Sequence, residues 1–177
     1  MGSFPNAPFF ALEEAPRSMD IIGIDPNDSM KGYALQNARK VGLLGGADGS
    51  SGSSVRLVHG VSEALPFADN SVDAVVVSLT LCSVRSPEKS VAEIKRVLKP
   101  GGAFLFWEHV LSETDPVLAQ RQVDSTPSQV RRADGCHLNR RTGETVRNAG
   151  FAKVDMKYLE LSGFGVLNPT VSGIATA

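Results

Sequence analysis

The sequence predicts an α/β fold, a mostly parallel sheet built from strand–helix units and finished by an antiparallel C-terminal pair. Three observations carry this. Short runs of branched apolar residues, each bounded by turn residues, recur at 19–25, 55–59, 72–77 and 103–107. Segments of helical period with recognisable caps alternate with them. The last two apolar segments, 154–161 and 171–175, follow each other with no helical pattern between, and the first alternates in period two.

Taken in order, Met19-Asp20-Ile21-Ile22-Gly23-Ile24-Asp25 reads as a buried strand that Pro26 stops, so Asp25 stands at its carboxyl end. Residues 29–41 follow as a helix, with Met30, Ala34 and Ala38 on one face and Gly42 placed to end it. The stretch 45–54 is glycine and serine with no apolar period and reads as a flexible surface loop. Residues 55–59 and 72–77 are further strands, the latter apolar enough to be covered on both faces. Ser86-Pro87-Glu88 supplies an N-cap, a first-turn proline and an acid at the positive end of a helix, which Pro100-Gly101-Gly102 stops. A buried strand at 103–107 and weaker helices at 115–132 and 140–149 precede the final strand pair.

With 177 residues, 42% hydrophobic and 21% charged, the chain can bury a core and fits one domain over 1–177. Eighteen Lys and Arg against 19 Asp and Glu leave a formal charge of -1, which argues against nucleic acid or an anionic membrane as partner. No apolar run approaches the roughly 18 residues of a spanning helix. Two cysteines, Cys82 and Cys136, are too few for a disulfide scaffold and lack metal-ligand spacing, so a cytoplasmic, reducing compartment and no metal are expected.

Asp25 is the first chemical feature, because open α/β sheets bind nucleotides at the carboxyl ends of their strands, where a carboxylate accepts ribose hydroxyls. Three motifs follow it: Gly60-Val61-Ser62-Glu63-Ala64-Leu65-Pro66-Phe67, Asn70-Ser71-Val72-Asp73-Ala74-Val75-Val76-Val77, and Arg96-Val97-Leu98-Lys99-Pro100-Gly101-Gly102. Singly they are a loop, a core strand and a helix stop. In this order and spacing they resemble the class I S-adenosylmethionine-dependent methyltransferases over nearly the whole chain. Further stretches, Gly23-Ile24-Asp25-Pro26-Asn27, Leu79-Thr80-Leu81-Cys82-Ser83-Val84, Trp107-Glu108-His109-Val110 and Asp134-Gly135-Cys136-His137-Leu138, resemble the methyltransferase-like subgroup of small-molecule and thiol methyltransferases, relatives of the quinone C-methyltransferases.

The resemblance implies S-adenosylmethionine as cofactor and a small lipophilic acceptor of thiol, quinone or phenol type. It implies cofactor contacts at Asp25 and Pro26, at Val61 and Ser62, and at Ser78 and Leu79. Many relatives carry an acid where Val61 stands. Glu108 and His109, at the carboxyl end of a strand, are candidates for orienting the acceptor or moving its proton, with a structural hydrogen bond to a nearby loop as the alternative. The family also opens with a central strand and a glycine-rich turn. Gly2, 23 positions before Asp25, stands near the end of that turn, since about 20 separate turn and acid. The expectation is a truncated Rossmann-like sheet without its first strand, with unpaired edges open to self-association and with weak or undetectable cofactor binding. An inactive scaffold that acts as an interaction module and a nicotinamide-dependent dehydrogenase are the competing readings.

Overall fold

The structure is a computed structural model and describes residues 1–16, 18–44 and 52–177. The chain divides into two compact units, Met1–Val61 and Ser62–Ala177. Most of the predicted glycine–serine loop, residues 45–51, lies outside the described residues.

In the first unit a 3-10 turn at Ala7–Ala11 precedes β1 (Asp20–Asp25), α1 (Met30–Lys40) and β2 (Ser54–His59). The two strands pair in parallel, from Asp20 opposite Ser54 to Asp25 opposite His59. The face predicted from spacing is the one α1 buries: Ala34 and Ala38 are inaccessible and pack with Phe4, Ala7, Leu43 and Val55. Gly42, at φ +76°, ends the helix with its N–H on the Arg39 carbonyl. Asn37 Nδ2 donates to the Ser3 carbonyl at 2.9 Å and fixes the N-terminal segment on α1.

The second unit runs β3 (Val72–Ser78), α2 (Pro87–Val97), β4 (Leu98–His109), α3 (Pro116–Arg132), α4 (Thr142–Asn148), β5 (Lys153–Leu159) and β6 (Thr170–Thr176). Its sheet has the order β3-β4-β6-β5. β3 and β4 are parallel, and β6 is antiparallel to both β4 and β5. The mixed α/β sheet with an antiparallel finish is thus the observed one, and the alternating segment forms an edge strand. α2 starts as predicted, with Ser86 Oγ accepting from Lys89 N at 3.3 Å.

Two expectations are corrected. β3 is not covered on both faces: Val75 and Val77 join the core, whereas Val76 is 46% exposed. Its apolar run serves the edge strand of this sheet, with Val75 and Val77 turned to the core and Val76 turned away from it. β4 begins earlier than residue 103, because Leu98 follows the last helical residue directly and pairs with Val72; the register then shifts before Ala74. The Lys99-Pro100-Gly101-Gly102 stop lies inside that irregularity, with Gly101 at φ +79°. Along the rest of β4, Phe104, Phe106 and Glu108 turn inward, and Leu105 and Trp107 lie on the half-exposed face.

Two glycines on these strands respond differently to an added methyl group. A Cβ at Gly173 on β6 meets Met156 Cβ at 2.6 Å and Phe106 Cζ at 2.8 Å, and lies closer still to the Asp155 carbonyl oxygen. Backbone must move, so Gly173→Ala is expected to cost about 1–3 kcal/mol in urea unfolding. At Gly23 on β1 the nearest atoms to the new methyl are Met1 Sδ and Cε, the far end of a flexible side chain that can swing away. There the loss is expected to stay below about 1 kcal/mol.

Candidate functional site

In the first unit, Asp25 ends β1 as predicted. Its Oδ1 accepts from Asn27 N at 2.8 Å, and its Oδ2 accepts from Gly2 N at 2.6 Å and from the Met1 amino group at 3.2 Å. Partial burial works to raise its pKa, but these hydrogen bonds and the nearby amino charge outweigh it and hold the carboxyl below its ordinary value. Two carboxylate oxygens offer about four lone-pair sites, so one on Oδ1 stays open to a further donor. Gly2 adopts φ +59°, a conformation that glycine reaches without strain, and its N–H reaches the Asp25 carboxylate at the end of β1. Pro26 follows on the exposed surface. Val61 is 45% exposed, and its aliphatic side chain can accept no hydrogen bond.

In the second unit, Ser62 Oγ lies 2.8 Å from the buried Ser90 Oγ of α2. The Leu65-Pro66-Phe67 segment is bound to α2 by a pair that sequence reasoning missed. Glu93 Oε2 accepts from Leu65 N at 2.8 Å, and Arg96 donates to the Leu65 and Phe67 carbonyls at 3.1 and 2.9 Å. Arg96 also bridges Glu93 at 2.7 Å, at a spacing of three on one helix face that was a legible signal.

Ser78 ends β3, and Leu79 after it takes φ +49°, a left-handed conformation that costs a branched residue roughly 1–2 kcal/mol. Glu108 holds the turn that follows. Its Oε1 accepts from Thr80 N at 2.7 Å and Leu81 N at 3.0 Å, and its Oε2 from Cys82 N at 3.4 Å. Burial pushes the Glu108 carboxyl up to about 7, against the opposing pull of these N–H groups and of Arg140. The side chain is inaccessible to solvent. Arg140 donates to the carbonyls of Leu81 and Val84, so one turn is held from both its donor and its acceptor side.

His109 is 2% exposed, and burial followed by the Arg140 charge lowers its pKa to about 4, which keeps the ring neutral. Its Nε2 lies 3.1 Å from Cys136 Sγ, and Nδ1 has no hydrogen-bond partner among the described residues. Burial and then the Glu108 charge raise the Cys82 thiol to about 12. The donor atoms of Cys82, His109 and Cys136 all lie within 4.8 Å of one another. Linear spacing gave no hint of this cluster, because 27 residues separate each member from the next.

A family model described as a methyltransferase domain matches residues 2–106. Thiol S-methyltransferase TMT1B of Rattus norvegicus is 44% identical over 94 residues, 52% of this chain and 38% of that protein. Thiol S-methyltransferase TMT1A of Homo sapiens is 30% identical over 162 residues, 90% of this chain and 63% of that protein. The ubiquinone/menaquinone biosynthesis C-methyltransferase UbiE of Enterobacter sp. (strain 638) is 33% identical over 130 residues, 73% of this chain and 45% of that protein. The chain thus spans less than two thirds of the length of each. Among solved structures, a SAM-dependent methyltransferase from Methanosarcina mazei superposes with a TM-score of 0.64 at 20% identity, covering 99% of this chain and 98% of that one. A (4+2)-cyclase, SpnF, gives 0.69 at 21% identity, covering 99% and 72%. Likeness at that level shows the fold and leaves the chemistry to the sequence. The matched stretch takes in the acid at the end of β1, the Leu65-Pro66-Phe67 segment and the β3–β4 pair, and on that ground the chain belongs to the class I S-adenosylmethionine-dependent methyltransferases.

Proposed function

We propose that this chain serves methyl transfer from S-adenosylmethionine to a small lipophilic acceptor, with a thiol as the first class to test and a quinone or phenol as the next. The observation that carries the reading is the family match through Asp25, whose ionised carboxylate keeps an acceptor site free at the carboxyl end of β1. The acceptor class rests on the thiol and quinone methyltransferases to which the chain is similar.

When bound, the cofactor supplies an electrophilic methyl group on a sulfonium. The work left to the protein is binding, orientation and exclusion of water. Asp25 would hold the ribose hydroxyls through its carboxylate, whose Oδ2 already accepts from Gly2 and Met1. Pro26 borders that position, and Gly2 keeps the carboxylate aligned through its N–H. Val61 and Ser62 would provide apolar contact and a hydroxyl for the adenine portion, and the backbone of Ser78 and Leu79 would serve the methionine portion. Glu108 and His109 are positioning residues in this reading. Both are buried, and Glu108 fixes the left-handed turn at Leu79 by holding the three N–H groups beyond it.

Ligand-observed NMR with S-adenosylmethionine at millimolar concentration reads binding even where it is weak. Saturation transfer to the ribose protons is expected with the native chain. It is expected to fall tenfold or more in Asp25→Asn, which loses a charge-assisted hydrogen bond of about 1.5–3 kcal/mol. Equal transfer in both proteins, or none in the native chain, overturns the assignment. The exposed Val61, with no acceptor for an adenine amino group, favours a second reading, a scaffold without activity. Methylation of a thiol or quinone panel by this chain excludes it.

A further inference from the structure

Among the described residues, one group of soft ligands stands apart from the positions assigned to the cofactor. Cys82 lies in the turn after β3, His109 at the end of β4 and Cys136 in the loop after α3. All three are buried, with 2%, 2% and 7% of their surface exposed. We propose that Cys82 Sγ, Cys136 Sγ and His109 Nε2 form a zinc site that clips these three segments of the second unit together.

The geometry suits the ion. Zinc–sulfur bonds of ~2.3 Å and a zinc–nitrogen bond of ~2.0 Å at tetrahedral angles separate the donor atoms by roughly 3.5–3.8 Å. Here all three fall within 4.8 Å, and the Nε2–Sγ separation to Cys136 is 3.1 Å. Small side-chain rotations that open the Nε2–Sγ pair bring the donors to that spacing. The backbone around it is already fixed, because Cys82 N donates to Glu108, the Cys82 carbonyl accepts from His137 N at 2.9 Å, and Cys136 N donates to the Ala133 carbonyl at 2.8 Å.

The sulfur atoms have little else to bind. Cys82 Sγ has Ser83 Oγ at 3.5 Å and Cys136 Sγ has Gln129 Nε2 at 3.6 Å, both weak contacts. Charge also balances. A divalent ion displaces the two thiol protons to solvent and forms two zinc–thiolate bonds, so metal and sulfurs together are neutral. A buried location then needs no further counter-ion. The imidazole gives its Nε2 lone pair and keeps its proton on Nδ1, and a water completes four-coordination. This assignment does not depend on the identity of cofactor or acceptor.

The test is metal content. The full chain, reduced and stripped with EDTA, is reconstituted with zinc sulfate, desalted and measured by plasma mass spectrometry. About one zinc per chain is expected, falling to about one-tenth or less in Cys82→Ser and Cys136→Ser. A second measurement needs no variant. Cobalt(II) added to the stripped native chain is expected to give an intense thiolate-to-metal charge-transfer band, which one added equivalent of zinc abolishes. Less than one-tenth equivalent of zinc with no such cobalt band overturns the proposal. So does full zinc retention in the Cys82→Ser/Cys136→Ser double variant. A Cys82–Cys136 disulfide formed in air, with no zinc bound by the reduced chain, overturns it as well.

Discussion

Glu108→Ala is expected to lower the unfolding free energy by about 3–5 kcal/mol, more than any other single truncation at the carboxyl ends of β3 and β4. The substitution removes the common acceptor of Thr80, Leu81 and Cys82 N–H. Each buried donor left without a partner costs roughly 1–3 kcal/mol. The left-handed Leu79 loses its anchor at the same time. Glu108→Gln is expected to cost about 1–2 kcal/mol, because its amide oxygen still serves Thr80 and Leu81 while its NH2 group faces the Cys82 donor. Urea unfolding of the two variants against the native chain reads the difference. A loss below about 1 kcal/mol in Glu108→Ala shows that the turn finds other acceptors.

Phe104→Ala is expected to cost about 3–5 kcal/mol, through lost burial and the cavity it leaves. Phe104 is inaccessible at the centre of β4, with Val75 opposite it on β3 and Ala175 on β6. Its ring centroid is 5.2 Å from that of Phe106 and 5.9 Å from that of Phe151. Val76→Ala, on the exposed face of β3, gives the contrast and is expected to change stability by about 0.5 kcal/mol. Both are measured by the shift in urea midpoint at unchanged m-value. Comparable losses in the two variants contradict the difference in burial between Phe104 and Val76.

What was legible in the sequence was what local chemistry decides. Ala34 and Ala38 share a face because helix geometry puts them there, and Ser86-Pro87-Glu88 starts a helix wherever that helix packs. Asp25 could be placed at a strand end from Pro26 alone. The alternation of Val154, Met156 and Tyr158 marked an edge strand before any partner was known. The features that escaped depend on partners distant in the chain. A continuous apolar run such as 72–77 does not say how many of its faces find cover. Leu98 joins β4 because Val72 lies opposite it, whereas Pro100, Gly101 and Gly102 read locally as a stop. Local sequence fits Glu108 equally to an acceptor-facing or a structural role, and only its burial and its three backbone donors favour the second. Cys82, His109 and Cys136 meet because three strand or helix ends converge, which no spacing rule encodes.

The strand order β3-β4-β6-β5 sets a sequence of events for folding. β3 and β4 can pair around the intervening α2, but β4's other side and the whole of β5 wait for Thr170–Thr176. Until that segment inserts, β4 carries a bare edge, and contacts of such long range form slowly. An edge left open during folding is where chains of this kind associate wrongly. On β4 the hazard belongs to an interval in time, and β6 ends it there by docking between two strands at once.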